Sequence, residues 1–246
     1  GAPVGGHWVA DRQSGPLLLK FGTEKQRQLI CARIARGELI FAIGMSEPDS
    51  GSDLASIRTR AVKTDGGWVV NGTKIWTSEA HHADYMIALF RTDTDPDDRH
   101  AGMSQFLVDM KTPGVTARPL RNITGDLSFN EVSFVDAFIP DDMIVGGEGE
   151  GWKQVIAELA FERAGPERYM SSYILLTALI REISQNPGER AAVTLGRLVA
   201  HLGTLRQMSL SVAGMQNAGE DPALAGSIVK DLGGVYEQDM PKIAHE

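Results

Sequence analysis

The hydrophobic period of this chain changes twice, near residues 40 and 150, and that switch limits its fold more than any other feature. Up to residue 39 the apolar positions fall at helical spacing. Pro16, Leu17, Leu18, Leu19 and Phe21 form one short segment; Thr23 and Gln26 have the spacing of a capping box, and Leu29, Ile30 and Ile34 carry the pattern to Gly37. From residue 40 short apolar runs take over, separated by turn signals. Asn71-Gly72, between Trp68-Val-Val70 and Lys74-Ile-Trp76, reads as the turn of a β-hairpin, because both residues tolerate positive φ. Residues 85–90, 105–108 and 131–135 read as further strands, with turns at Pro113-Gly114 and Asp136. After Gly147-Glu-Gly-Glu-Gly151 the helical period returns, with Trp152, Val155, Ile156 and Leu159 on one stripe. Breaks at Asn186-Pro-Gly188 and residues 219–222 divide the later helices.

This order makes the fold class α+β: a small antiparallel β-barrel or sandwich domain flanked by helical segments. Three domains follow from it. Residues 1–39 end an N-terminal helical domain, 40–150 form a middle β-domain, and 151–246 form a partial C-terminal helical domain. The 246 residues are 42% hydrophobic and 23% charged, an ordinary globular balance with enough chain for a sizeable core. A net charge of −8 argues against nucleic acid and against an anionic membrane as partners. No apolar run is long enough to span a bilayer, and no basic region leads into an apolar one at the start. The single cysteine, Cys31, excludes an intrachain disulfide, suits a reducing compartment and reads as a small core residue. A cytoplasmic location is the expectation, or a mitochondrial matrix one in a eukaryote.

Three stretches could carry chemistry. Gly44-Met-Ser-Glu-Pro-Asp-Ser-Gly-Ser-Asp53 offers the hydroxyls of Ser46, Ser50 and Ser52, and Gly51 allows close backbone approach to a phosphate; such a loop is by itself more often only a turn. Trp76-Thr-Ser78 adds an aromatic ring and two hydroxyls, the ring being a core aromatic by default. Glu162 lies seven residues after Val155 and three after Leu159, on the apolar face of its helix. Desolvation there would raise its pKa toward the range of a general base, the plain alternative being an ion pair with Arg163. Pro166 cannot donate to the carbonyl of Glu162, so a kink is expected beside it. His81-His82 has no spaced set of further ligands, so no metal site is expected. The Gly147–Gly151 run reads as a helix entry and the acidic run at 93–98 as a solvated turn.

Taken together, the 44–53 loop, the stretch Gly67-Trp-Val-Val-Asn-Gly-Thr-Lys-Ile-Trp-Thr-Ser78 and Glu162-Arg163 resemble the acyl-CoA dehydrogenase family. That family carries a Thr/Ser-Glu-Pro-x-x-Gly-Ser-Asp loop, matched here by Ser46, Glu47, Pro48, Gly51, Ser52 and Asp53, with Asp49 and Ser50 in place of the usual Gly-Ala. The resemblance covers essentially the whole chain and implies FAD as cofactor and oxidation of an acyl-CoA thioester to the trans-2-enoyl-CoA. By it, residues 43–52, among them Ile43, Met45, Ser46, Gly51 and Ser52, contact FAD. Trp76 packs on the flavin with Thr77 beside it, and Ser78 bonds the ring near N5.

The same resemblance makes Glu162 the base for the α-proton and places Ser52, Glu162 and Arg163 against substrate. Other members keep the base on a late loop, which lies outside these residues, as do a larger preceding bundle and the final helices. It further implies an electron-transfer flavoprotein as acceptor and a homodimer or homotetramer. Residues 187–196 lack the phenylalanine of the Arg-x-x-Phe-Gly motif with which relatives reach FAD in the partner subunit. The rival readings are a non-catalytic flavin- or acyl-CoA-binding partner subunit, and a flavin oxidase or monooxygenase on the same scaffold.

Overall fold

The computed structural model describes residues 4–95, 97–185 and 188–245, so the Asn186-Pro187 part of one expected helix break lies outside the described residues. Helices α1 (Val4–Val9), α2 (Gly15–Phe21) and α3 (Glu24–Ala35) come first, with a π-helical turn at Ala10–Ser14 between the first two. The capping box forms as its spacing predicts: the Thr23 hydroxyl accepts from Gln26 N, and Gln26 returns its side-chain oxygen to Thr23 N. The Gln26 amide nitrogen also donates to the Asp142 and Ile144 carbonyls, each at 2.8 Å, which ties the start of α3 to the sheet. Cys31 lies half-buried on this helix, where burial pushes its thiol pKa up.

Eight strands follow: β1 (Phe41–Gly44), β2 (Arg60–Thr64), β3 (Gly67–Ser78), β4 (Tyr85–Arg91), β5 (Met103–Asp109), β6 (Val115–Leu120), β7 (Phe129–Pro140) and β8 (Ile144–Val145). They make one sheet in the order β6-β7-β3-β2-β4-β5-β8, with β1 also on β4. The class is α+β; the strands form a single open sheet whose pairings are antiparallel except for β1 and β2 on β4. Because β5 pairs with β4 along its whole length, β1 and β2 share the other edge, β1 at residues 85–88 and β2 at Arg91 alone. The chain therefore leaves that edge after Gly44 and returns to it at Arg60. Residues 45–59 are the excursion, and they contain the Ser-Glu-Pro loop.

Asn71-Gly72 does not turn a hairpin. Both residues lie inside the twelve-residue β3, where the pairing with β7 slips between Val70 and Gly72. The hairpin turn is Asp65-Gly66, with Gly66 at φ 76°, so two Asx-Gly signals stood six residues apart and the earlier one is the turn. Gly72 serves a bulge instead: at φ 145°, a Cβ there would run into the Cα and Cβ of Thr59 at 2.7 Å.

Strand β4 explains why its apolar run is continuous rather than alternating. Met86, Ala88 and Phe90 pack with Trp68, Phe106, Val132 and Phe134 on one side, while Ile87 joins Leu17, Leu18, Ile30, Ile34, Phe41 and Leu107 beneath the N-terminal helices. Each large apolar side chain so buried contributes roughly 1.5–3 kcal/mol.

The rest of the chain is helical: α4 (Gly151–Glu162), α5 (Tyr173–Gln185), α6 (Glu189–Asn217) and α7 (Ala223–His245), with a 3-10 turn at Pro166–Arg168. The expected kink at Pro166 is replaced by a stop. Helix α4 ends at Glu162 and Pro166 opens the 3-10 turn, the first-turn place where a missing N–H costs nothing. The chain divides into two compact units, residues 1–158 and 159–246, the division falling inside α4. The second unit has its own core of Tyr169, Leu176, Leu198, Leu205, Val212, Val229, Tyr236 and Met240.

Candidate functional site

The 45–59 excursion is held from below by a buried ion pair. Lys74 of β3, fully buried, donates its ammonium to Glu47 Oε1 and to the Met45 carbonyl, each at 2.9 Å. The same carboxylate accepts the backbone N–H groups of Arg58 at 2.7 Å and Thr59 at 3.0 Å, so Glu47 joins both ends of the loop to the sheet. Burial alone would raise the Glu47 pKa, but the Lys74 charge and these donors outweigh it and hold the carboxyl low. Burial dominates at Lys74 and brings its pKa down to about 8. Ile75 N donates to the Ser46 carbonyl at 2.9 Å, which sets the start of the loop beside the end of β3. At the apex Ser50 donates to the Asp53 carbonyl at 2.7 Å and is buried, so its hydroxyl closes the turn and is not the free donor expected. Asp53 accepts from Ser56 at 2.5 Å and ion-pairs with Arg99. Gly51 and Ser52 stand exposed.

A second register slip, between Lys74 and Thr77, turns the end of β3 outward. Trp76 sits in it at φ 59°, 62% exposed, with its indole edge-on to Phe129; it is no core aromatic. The two hydroxyls after it part company. Ser78 is exposed, whereas Thr77 is buried and its hydroxyl meets no partner, so a ligand on the surface reaches Ser78. Asn130 fixes this corner: its amide nitrogen donates to the Thr77 carbonyl at 3.0 Å, which leaves its oxygen to accept from His81 Nδ1 at 2.9 Å. The next turn does bring a carboxylate to the histidines. Glu79, His81 and His82 place donor atoms within 4.8 Å of one another, and His82 Nδ1 lies 3.1 Å from the Glu79 carboxylate.

On α4, Glu158 is completely buried, and Gln105 donates to its Oε2 at 2.9 Å. Its other oxygen, and the side-chain oxygens of Gln105 and Gln154, are buried without a donor. Burial lifts the Glu158 pKa to about 7, which the Gln105 bond only partly opposes. In the second unit Glu162 closes α4. Its partner is Arg168 and not Arg163: Arg168 ion-pairs with the Glu162 carboxylate and donates Nε to the Glu162 carbonyl at 3.3 Å. Arg163 donates to Ser227 of α7 at 2.9 Å. A cavity of ≈ 740 Å³ opens among Arg190, Arg197, His201 and Tyr236, and none of the expected site residues lines it.

Residues 42–137, which hold the loop, the bulged strand and most of the sheet, match the family described as acyl-CoA dehydrogenase, middle domain. Acyl-CoA dehydrogenase FadE34 of Mycobacterium tuberculosis is 39% identical over 98% of this chain, which covers 33% of that protein. The chain belongs to the acyl-CoA dehydrogenase family. Acyl-CoA dehydrogenase IpdE1 of Mycolicibacterium smegmatis is 33% identical over 94% of the chain and 61% of its own length. A solved structure titled Tcur3481-Tcur3483 steroid ACAD G363A variant superposes with a TM-score of 0.89 at 28% identity, over 97% of this chain and 63% of that one. The chain thus spans about a third of one of these acyl-CoA dehydrogenases and under two thirds of the others.

Within this chain the structure brings Met45 and Ser46 against the strand end that bears Trp76 and Ser78, by the two bonds from residues 74 and 75. Ile43 closes β1 one residue before its last, half-buried, and Gly51 and Ser52 form the exposed far side of the loop. Three residues that matter here were not singled out from sequence: Lys74, Asn130 and Arg168. Lys74 stood in the quoted motif, but only the fold shows that it runs under the loop. Asn130 and Arg168 carried no local signal.

Proposed function

We propose that the protein to which this chain belongs is an FAD-dependent acyl-CoA dehydrogenase that converts an acyl-CoA thioester to the trans-2-enoyl-CoA. The observation that carries the reading is the pairing of a braced loop with an outward-turned Trp76. An exposed indole beside unencumbered hydroxyls fits a flat, polar-edged ring: the hydroxyls of Ser46, Ser52 and Ser78 are tied to no partner among the described residues, unlike that of Ser50. Met45, Ser46, Gly51, Ser52, Trp76 and Ser78 would hold FAD, and Thr77 would contribute backbone only. When bound, FAD supplies the acceptor for the β-hydrogen. Ser78, at the ring edge, would stabilise negative charge that develops there. Glu162 would take the α-proton, and Ser52 would bind the thioester end of the substrate.

The relatives' names support the finer choices. One neighbour is titled a steroid ACAD, and another structure, 29% identical with a TM-score of 0.81, is titled a ChsE4-ChsE5 complex. A bulky acyl group and assembly with a second dehydrogenase chain are therefore part of the proposal, with an electron-transfer flavoprotein as acceptor and the cytoplasm as location. No helix among the described residues is long and apolar enough to cross a membrane.

The test is Glu162→Gln in the full-length protein loaded with FAD. Acyl-CoA should still perturb the flavin spectrum, while anaerobic flavin reduction slows by at least ~10², the usual scale of general-base catalysis. Normal reduction by the folded variant moves the base elsewhere, and rapid reoxidation by oxygen favours an oxidase.

A further inference from the structure

The second unit contains a device around Glu162 that the family resemblance does not supply. Glu162 is the last residue of α4, where the carbonyl ends of the helix make a negative pole that disfavours a carboxylate. Neighbouring carbonyls are covered from α6: Gln216 donates to Ala160 O at 3.1 Å and Ser209 to Ala164 O at 2.5 Å. The carbonyl of Glu162 is left to Arg168, which reaches that oxygen and the carboxylate of the same residue. Two contacts from one planar group fix the position of the side chain as well as its charge. Only 16% of the Glu162 side chain and 24% of the Arg168 side chain remain exposed, so the pair is screened less than a surface ion pair.

The local backbone is arranged to bring Arg168 there. The helix stops, Gly165-Pro166 reverses the chain, and the 3-10 turn carries Arg168 back over the helix end. Gly233 of α7 permits this approach, because any Cβ at that position would run into the Arg168 carbonyl. Glu237, also on α7, accepts from Ser172 N at 3.1 Å and pins the chain beyond the turn. Beside Glu162 in sequence stand Arg163, held by Ser227, and Glu167 on the turn itself, and the packed helices add Arg206 of α6 and Lys230, Asp231, Glu237 and Asp239 of α7.

We propose that Arg168 is the positioning residue of the base, holding the Glu162 carboxylate ionised and aimed. The proposal rests on the reading of Glu162 as the base. Without Arg168, the helix pole and burial would act on Glu162 unopposed, and its pKa would rise. Because the base must be ionised to accept a proton, the rate of flavin reduction would then climb at higher pH than in the parent.

The experiment follows anaerobic flavin reduction by acyl-CoA from pH 5 to 10 in the full-length, FAD-loaded protein and its Arg168→Gln and Arg168→Lys variants. For Arg168→Gln the expected result is an upward move of the apparent pKa by roughly one to three units, the size of an adjacent arginine's effect. At the parent's midpoint that is a rate loss of ~10-fold or more, recovered on the alkaline plateau. Arg168→Lys, which keeps the charge, should restore most of the profile and covers the case in which the glutamine variant does not fold. Thermal melts of Arg168→Gln, Glu162→Gln and the double variant give a readout free of chemistry, with an expected non-additive melting shift. An unmoved pH profile beside a lowered melting temperature overturns the proposal and leaves Arg168 a helix-end brace. Normal reduction by Glu162→Gln overturns both the base and this inference, whereas a normal profile in Arg168→Gln with an inactive Glu162→Gln overturns this inference alone.

Discussion

Lys74 shows how one side chain can carry a loop. Its ammonium is fully buried and grips the loop at the Met45 carbonyl and the Glu47 carboxylate. Lys74→Met would leave Glu47 ionised and buried with backbone donors only, which for a broken buried pair costs about 3–5 kcal/mol. Urea denaturation should register that loss, and retention of FAD through gel filtration should fall with it. Lys74→Met combined with Glu47→Leu should lose less stability than Lys74→Met alone, because no unpaired charge is then left inside. At this scale the sequence was legible in composition but not in assignment. The Ser-Glu-Pro loop, Trp76 and Ser78 were found because their order along the chain is local. Arg168 displaced Arg163 as the partner of Glu162 because a partner six residues on depends on where the helix stops.

Among the elements, β3 and α4 departed most from their sequence patterns, and for one reason. Asn71-Gly72 and Asp65-Gly66 carry equal local turn chemistry. The register with β7, sixty residues away, decides which of them bends into a hairpin and which becomes a bulge. On α4, a glutamate at position 158 within an amphipathic stripe gives no warning of complete burial. Its pKa is raised to about 7 from an unfolded value near 4.5, so the folded state binds more protons between those two values. The stabilising contribution is therefore whole below pH ~4.5 and is lost as pH rises to ~7, amounting to about 3 kcal/mol. Glu158→Gln removes the titration and supplies an N–H donor for the unpaired oxygens of Gln105 or Gln154. Compared with the parent, the variant should gain stability at pH 8 and match it near pH 4.5. Denaturant midpoints at those two pH values check this, and equal gains at both would show that proton binding at Glu158 is not the cause.

Over the whole molecule, the helix–β–helix order was readable because hydrophobic period is a local signal repeated many times. Strand order, the two parallel pairings and the shared edge of β4 were not, since each rests on contacts between distant segments. Apolar side chains also remain uncovered along α7, where Leu224, Ile228, Leu232 and Val235 follow one another at helical spacing, and at Leu19 and Ile174. The 246-residue chain expressed alone should therefore self-associate, and sedimentation velocity at micromolar concentration should show species above the monomer. A monodisperse monomer would mean those faces tolerate water. Trp76 has another kind of consequence. Its left-handed backbone, unfavourable by roughly 1–2 kcal/mol for a side chain of this kind, is set when the sheet folds and not when a ligand arrives. A flat ligand that settles on the indole meets a surface already oriented, so its binding energy is not consumed in ordering the ring. That energy is returned instead to the folding equilibrium: at a thousandfold excess over its Kd such a ligand adds about 4 kcal/mol. The emptied and the loaded protein should thus differ in how long they last as well as in colour.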